Sequence, residues 1–177
     1  MKKVFFRKAA IAVIAVLTMS AAAQAQKKGD MAAGGNLVLG SGDSFTNYGI
    51  GAKFQYNVLD PLRLEGAFTY FLKKDLVSMW DLSVNAHWLF PVADKIVVYP
   101  LAGLGVLGSS VSVPSFDLGE WGSYGGGSAS DSEFGFNLGG GIDLKLTEKL
   151  ILNAELKYKL GNTWDRLLVS AGLAYKF

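Results

Sequence analysis

The chain contains no cysteine, a single histidine and few charged residues. Without cysteine, a disulfide framework, thiolate catalysis and a lipid-modified N-terminal cysteine are excluded. One histidine excludes a metal centre built from several histidines. Asp, Glu, Lys and Arg make up only 18% of the 177 residues. Soluble domains usually have roughly 25%. The composition therefore indicates neither a disordered chain nor nucleic-acid binding through bulk charge.

Residues 1–25 have the pattern of a cleaved secretory signal peptide. Residues 1–8 carry four cations and no acid, an apolar run covers Ala9 to Leu17, and Ala23-Gln24-Ala25 supplies a cleavage site. The apolar run is shorter than the roughly 20 residues of a membrane-spanning helix. Cleavage leaves residues 26–177 as one domain with 13 basic and 15 acidic side chains. The positive net charge of the whole chain therefore belongs to the signal peptide and indicates no acidic partner.

Alternation of apolar and polar residues dominates the chain after Leu37, which is typical of β-strands. In residues 47–58, for example, every even position is apolar and every odd position is small or polar. Residues 96–107 are apolar on both faces, so the sequence leaves their facing open. Runs of about eleven residues, tilted by about 40°, cover close to 28 Å, the thickness of a bilayer's apolar band. Eight strands are predicted, over residues 35–40, 47–58, 62–72, 80–90, 96–107, 133–144, 150–160 and 167–177.

Two architectures share this alternation: a soluble barrel with its apolar face inside, and a membrane barrel with its apolar face outside. Eight strands enclose a lumen that side chains only just fill. The apolar face is crowded with Tyr, Phe, Trp and Leu, whereas the other face carries Gly, Asn, Ser and charges of both signs. The sequence therefore predicts an all-β fold, a closed eight-stranded antiparallel up-and-down transmembrane β-barrel with a polar, side-chain-filled lumen.

Two sets of residues carry this prediction. Charged residues on the polar face must pair, because an isolated buried ion is costly. The predicted ion-pair network of the lumen consists of Arg63, Glu65, Asp81, Asp143, Lys145, Glu155, Lys157 and Lys176. Aromatic residues near the ends of the runs suit girdles at the two membrane interfaces. The predicted girdle consists of Tyr56, Tyr70, Trp80, Trp88, Phe90, Tyr158, Tyr175 and Phe177.

Residues 108–132 form the one long connection, and an even strand number places it opposite the termini, on the outer side of the membrane. The segment is rich in Gly and Ser, and Phe116, Trp121 and Tyr124 are its candidate surface contacts. Such long connections are commonly functional. Its acids fit no calcium-loop spacing, so they are interpreted as solvated charges rather than a Ca²⁺ site; they are Asp117, Glu120, Asp131 and the adjoining Glu133.

Taken together, the signal peptide, the alternating runs and the C-terminal Leu173-Ala-Tyr-Lys-Phe177 resemble the small outer-membrane β-barrel proteins of Gram-negative bacteria, of the opacity, OmpX and OmpA transmembrane-domain types. The resemblance covers essentially the whole mature chain. It implies location in the outer membrane, contact with membrane lipid and lipopolysaccharide, and recognition by the barrel-assembly machinery through the strand ending in Phe177. No cofactor and no nucleic-acid partner are predicted.

Two motifs invite other interpretations. Gly103, Gly105 and Gly108 match G-x-G-x-x-G, but the following Ser109 to Pro114 cannot open the helix that dinucleotide binding requires. His87 lies on the polar face, about 13 Å along its strand from Ser83. A catalytic set needs hydrogen-bond contact, so His87 is predicted to be a hydrogen-bonding lumen residue, with no catalytic or metal-binding residue in the chain.

The leading hypothesis is a non-enzymatic integral outer-membrane protein with a role in envelope integrity or surface interaction. A narrow porin-like channel is the first alternative, and a lipid-modifying outer-membrane enzyme is the second. A soluble periplasmic carrier is the remaining one. The channel requires a continuous wet path through the lumen, and the enzyme requires a catalytic group at the outer rim.

Overall fold

The computed structural model describes residues 27–42, 45–74, 77–117, 123–161 and 165–177, so the predicted signal peptide lies outside the described residues. Within these residues, no helix is both long enough and apolar enough to cross a membrane. The described chain forms nine strand segments: β1 (Met31–Gly42), β2 (Phe45–Leu59), β3 (Leu62–Lys74), β4 (Val77–Trp88), β5 (Phe90–Ala93), β6 (Ile96–Asp117), β7 (Ser123–Lys145), β8 (Leu150–Gly161) and β9 (Arg166–Lys176).

The strands close into a barrel. They pair antiparallel in the order β4-β3-β2-β1-β9-β8-β7-β6-β5, and a further pairing joins β4 to β6. β4 and β5 form one barrel strand, because both pair with β6 in one register, His87 with Leu101 and Phe90 with Val98. Pro100 lies at the interruption and has no N–H to offer the ladder. The predicted closed barrel of eight antiparallel strands is therefore confirmed.

The largest difference from the predicted strands lies in the long connection. Residues 108–132 are mostly strand rather than loop, since β6 continues to Asp117 and β7 begins at Ser123. Apart from Val111 and Val113, which alternate with serine, Ser and Gly in this segment follow no regular apolar period. Hydrogen bonds between two backbones leave no hydrophobic period in a sequence. The strand pairing of this segment was therefore not recognisable from the sequence.

Polar side chains point into the barrel and apolar side chains point away from it. Lys53, Glu65 and Asn153 are buried, whereas Phe68 and Leu156 are exposed. The strand whose facing the sequence left open follows the same rule: in β6 the odd-numbered Val97, Tyr99 and Leu101 point inward. They pack with Leu89 into an apolar layer inside the lumen. That internal layer explains why this strand is apolar on both faces.

A short segment before β1 contacts both neighbours of that strand, β2 and β9, at the end of the barrel that carries the chain termini. Gly29 has a φ of 89°, and its N–H donates to the Asn57 carbonyl at 2.8 Å. The Asp30 carboxylate accepts hydrogen bonds from the Lys27 backbone N–H at 2.8 Å and contacts Lys176 Nζ at 2.6 Å. Partial burial raises the pKa of Asp30, but the hydrogen bonds outweigh it and hold this pKa below its ordinary value of 3.8.

Replacing Asp30 with asparagine tests the lowered pKa. Because the folded pKa of Asp30 is depressed, its carboxylate contributes stability above the unfolded pKa, and this is lost as pH falls through the folded value. We therefore expect the stability difference between wild type and Asp30→Asn to be constant above about pH 5 and to vanish at lower pH. Urea unfolding in detergent between pH 7 and pH 2.5 measures it. A difference that persisted at the acid end would contradict the assignment.

Candidate functional site

The centre of the lumen holds two carboxylates around one ammonium group. Lys53 Nζ lies 2.9 Å from Glu155 Oε1 and 3.6 Å from Glu65 Oε2. The Tyr99 hydroxyl donates to Glu155 at 2.9 Å, and Gln55 Nε2 donates to Glu65 at 2.8 Å. Each of these side chains is buried. The carboxylates therefore have both a cation and neutral donors in place of water.

Arg63 joins this group to a third carboxylate. Its NH1 donates to Asp143 Oδ2 at 2.6 Å, and its Nε and NH2 lie 3.2 Å and 3.0 Å from His87 Nδ1. A guanidinium has no acceptor, so Nδ1 accepts and the neutral imidazole carries its proton on Nε2. The His87 ring stacks on the Tyr99 ring, with the two centroids 4.6 Å apart. The Arg63 guanidinium lies over the Tyr99 ring as well. We call these residues the central network: Lys53, Gln55, Arg63, Glu65, His87, Tyr99, Asp143 and Glu155.

A second polar layer lies nearer the opposite end from the termini. Lys159 Nζ pairs with the Asp81 carboxylate. Asn137 Nδ2 donates to Asn85 Oδ1 at 2.9 Å, between this pair and the central network. Arg166 lies over the Phe71 ring, 4.9 Å from its centroid. Buried charges of both signs therefore occur in this layer as well as in the central network.

Apolar side chains close the lumen on either side of the polar layers. The outer apolar cluster consists of Val38, Phe71, Leu107 and Leu168. The inner apolar cluster consists of Leu89, Val97, Tyr99 and Leu101. Glycine makes room for the ring in the second cluster, because a Cβ on Gly141 would lie 2.6 Å from the Tyr99 hydroxyl. Apolar side chains thus lie on both sides of the polar layers, and a cavity lined by Asp30, Asn57 and Lys176 leads from the end that carries the termini to Gln55 and Arg63 of the central network.

The predicted lumen residues divide into two groups. Arg63, Glu65, Asp81, Asp143 and Glu155 are buried and each lies in an ion pair. The three predicted lysines are less buried: Lys176 pairs with Asp30 at the rim, and Lys145 and Lys157 are half-buried. Lys157 interacts electrostatically with Glu155.

Sequence reasoning omitted the cations that complete the buried pairs. Lys53 and Lys159 stand on the polar faces of predicted strands, so alternation could have identified them. Arg166 precedes its predicted strand by one residue and was missed for that reason. Tyr99 carried no signal, since it lies in the run that is apolar on both faces.

The predicted aromatic girdle separates into two rows and one exception. Tyr56, Trp88, Tyr175 and Phe177 are exposed near the end that carries the termini. Tyr70, Trp80 and Tyr158 lie near the other end, where Trp80 stacks on Phe68. Phe90 is only 4% exposed, and its assignment to the exposed girdle is wrong. Phe90 pairs with Val98 in the register that continues from β4, so the alternation of its strand gave no sign that it is buried.

Glu65, His87 and Glu155 place three potential metal-ligand atoms within 4.8 Å of one another. Lys53 already supplies positive charge between the two carboxylates. Binding of a metal through Nε2 of a neutral histidine requires a proton on Nδ1, but Arg63 donates to that atom. The residues therefore fit an ion-pair network better than a metal centre.

The G-x-G-x-x-G glycines lie within β6 and serve packing. A Cβ on Gly103 would collide with Asn85, and a Cβ on Gly105 would lie 2.9 Å from Lys159 Nζ. A Cβ on Gly108 would likewise collide with the Trp80 ring. The three glycines thus accommodate neighbouring side chains, and the motif marks close packing in the barrel wall.

β6 and β7 continue beyond the barrel as a hairpin, which we define as residues 112–134. β6 pairs with β4 up to Val111, and β7 pairs with β8 from Gly135 onward. β6 and β7 still pair with each other out to Asp117 and Ser123. In the described residues, the β8 side of β7 from Ser123 to Asp131 has no neighbouring strand. Nine residues at about 3.3 Å each make an edge about 30 Å long.

The predicted contact residues lie on this hairpin, but their side chains are outside the described part of the chain. The backbones of Phe116 and Tyr124 are paired in the β6–β7 register, and Trp121 lies outside the described residues entirely. Glu120 is also outside, as is the side chain of Asp117. Asp131 is exposed, and its carboxylate accepts from the Ser132 N–H at 2.9 Å.

Comparison with protein families gives one match over most of the chain. Residues 9–177 match the model described as the outer membrane protein β-barrel domain. No match is found among curated protein sequences.

Solved structures show the same fold at low sequence identity. The attachment invasion locus protein Ail of Yersinia pestis is 20% identical with a TM-score of 0.59, over 85% of this chain and 99% of that one. Neisserial surface protein A is 18% identical with a TM-score of 0.62, over 84% and 96%. The N-terminal β-barrel domain of Pseudomonas aeruginosa OprF is 16% identical with a TM-score of 0.57, over 86% and 100%.

Proposed function

Because the chain belongs to the outer membrane protein β-barrel family and resides in the outer membrane, we propose that it is a non-enzymatic scaffold that presents the β6–β7 hairpin at the cell surface. The observation that carries the proposal is a contrast: an apolar cluster and buried ion pairs block the lumen, whereas the hairpin extends beyond the residues that pair with β4 and β8. In such barrels the short turns face the periplasm and the longer connections face the exterior. The hairpin therefore faces outward.

The contents of the lumen argue against the channel alternative. A permeating ion would meet the outer apolar cluster, and a hydrophobic constriction resists wetting. It would then have to break the ion pairs of Asp81 with Lys159 and of Arg63 with Asp143. Removing one member of a buried pair costs about 3–5 kcal/mol, because the partner is left uncompensated.

The lipid-modifying alternative lacks support in the described residues. His87 is fully buried, stacked on Tyr99 and bonded to Arg63, so it cannot reach a lipid at the outer rim. Its Nδ1 accepts from Arg63 and its Nε2 lies 3.8 Å from Glu65 Oε1, so both ring nitrogens face charged groups of the central network and neither faces a nucleophile. We therefore propose a binding role rather than catalysis.

Single-channel recording tests the closed lumen. Purified refolded protein in a planar bilayer is expected to give no discrete current steps. Insertion is verified in parallel by the shift in electrophoretic mobility between folded and heated protein. Reproducible conductance steps from inserted protein would favour the channel alternative.

Surface presentation is tested on intact cells. A protease site inserted at the hairpin tip, between Asp117 and Ser123, is expected to be cut by externally added protease. The same site inserted into the short turn at Leu146–Lys149 is the matched control and is expected to stay intact until the cells are opened. Protection of the hairpin site in intact cells would refute the proposed orientation.

Contacts with the membrane and the assembly machinery complete the proposal. The exposed apolar face is proposed to contact membrane lipid. The aromatic row of Tyr70, Trp80 and Tyr158, at the end opposite the termini, is proposed to lie near lipopolysaccharide. The Phe177 side chain is exposed, and its ring centroid lies 6.4 Å from that of Phe54. Its backbone N–H donates to the Met31 carbonyl at 3.1 Å. We propose that β9 with Phe177 is the strand that the assembly machinery recognises.

A further inference from the structure

The two edges of the hairpin differ in how well they are protected. Edge strands expose unpaired N–H and C=O groups, and proteins usually block them with proline, lysine or bulges. The β6 edge carries Pro114 beyond its last contact with β4. The β7 edge from Ser123 to Asp131 contains neither proline nor lysine, and it has three consecutive glycines at 125–127. β7 therefore offers an unblocked template for another strand.

Self-pairing of this edge meets no conflict in the sequence. A two-fold axis at Gly127 is the register that pairs all nine residues, with Gly126 opposite Ser128, Gly125 opposite Ala129 and Tyr124 opposite Ser130. The only charge, Asp131, then faces Ser123, so no like charges oppose each other. An isologous contact of this kind needs one self-complementary surface. The β7 edge satisfies that condition.

The topology decides which second copy can pair in this way. Copies in one membrane are related by rotation about the membrane normal, so their β7 strands run parallel. Copies in two apposed membranes point toward each other, so their β7 strands run antiparallel. Antiparallel pairing is slightly the more stable per residue, and only this arrangement has the two-fold axis described above.

We propose that the β7 edge, residues 123–131, pairs antiparallel with the same edge of a second copy in an apposed membrane, and so links two cells. This inference rests on the proposed function, because it requires the hairpin to face outward. The binding partner of the hairpin is then a second copy of this chain. The backbone supplies the affinity, and the small residues at 125–130 permit the close approach.

Vesicle tethering with a charge swap tests the proposal. Protein is reconstituted into phospholipid vesicles, external protease verifies that the hairpin faces outward, and light scattering measures clustering. Wild-type vesicles are expected to cluster. Gly127→Lys vesicles alone and Gly127→Glu vesicles alone are expected to scatter like protein-free vesicles, since like charges meet at the axis. A mixture of the two variants is expected to cluster again.

The control places the same charge on the other strand of the hairpin. Val113 pairs with Gly127 across the hairpin, so Val113→Lys lies about 14 Å from its counterpart, beyond the Debye length of about 8 Å at physiological ionic strength. This variant is expected to cluster like wild type.

The outcomes separate the inference from the proposed function. Absence of wild-type clustering, or clustering of either single Gly127 variant at the wild-type level, would overturn the self-pairing. If the hairpin is still cut from outside and the lumen is silent, the scaffold proposal survives that result. Failure of external protease to reach the hairpin would remove both.

Discussion

Replacing Arg63 with methionine is expected to lower the free energy of unfolding by about 3–5 kcal/mol, one of the largest effects of a single substitution in this chain. Methionine keeps much of the side-chain volume but leaves Asp143 as an unpaired buried carboxylate. It also removes the donor to His87 Nδ1. Urea unfolding of protein folded into lipid vesicles, followed by tryptophan fluorescence, measures the change.

The double variant Arg63→Met with Asp143→Asn separates the charge effect from a packing effect. Removing both charges eliminates the uncompensated ion, so the double variant is expected to recover most of the lost stability. A double variant as unstable as Arg63→Met alone would show that Arg63 acts through packing on Tyr99 rather than through its charge.

Replacing Leu156 with arginine is expected to cost about 2–4 kcal/mol in a bilayer. Leu156 is 53% exposed on the outer face, and it lies near the middle of β8, where its neighbours are Gly140 and Val169. A lipid-facing site at this depth places the guanidinium in hydrocarbon. The free energy of unfolding from lipid vesicles is the measurement.

The depth of the site provides the control. Leu152 is on the same face of β8, two residues from the strand end at Leu150. Leu152→Arg can reach the interface and is expected to cost less than Leu156→Arg, since the cost of arginine falls toward the interfaces. Equal costs at the two positions, or no cost at Leu156, would contradict the lipid-facing assignment of this face.

Alternation was sufficient to predict the barrel wall because the environment on the two faces differs along its whole length. Residues 47–58 show the reason: each step along β2 moves a side chain from lipid to lumen, and the sequence records each step. The strand pairing beyond the barrel has no such contrast. Residues 109–117 and 123–132 therefore form strands that the sequence did not reveal.

Within the lumen, alternation identified which residues face inward but not which of them meet. Arg63 and Asp143 are 80 residues apart, and so much sequence separation gives no local signal of contact. The partners of Glu155 and Asp81 were absent from the predicted network, although Lys53 and Lys159 stand on predicted polar faces. Lys176, predicted for the lumen, instead pairs with Asp30, because β9 lies beside β1 and Asp30 directly precedes β1.

The sequence by itself determined the fold class, the number of barrel strands and the outward facing of the apolar residues. These properties follow from local period and residue volume, which each strand carries on its own. Only the tertiary structure decided the ion pairs, the two apolar clusters that close the lumen and the unprotected edge of β7. Each of these depends on the register between strands, and register is a relation between distant parts of the chain that no single segment encodes.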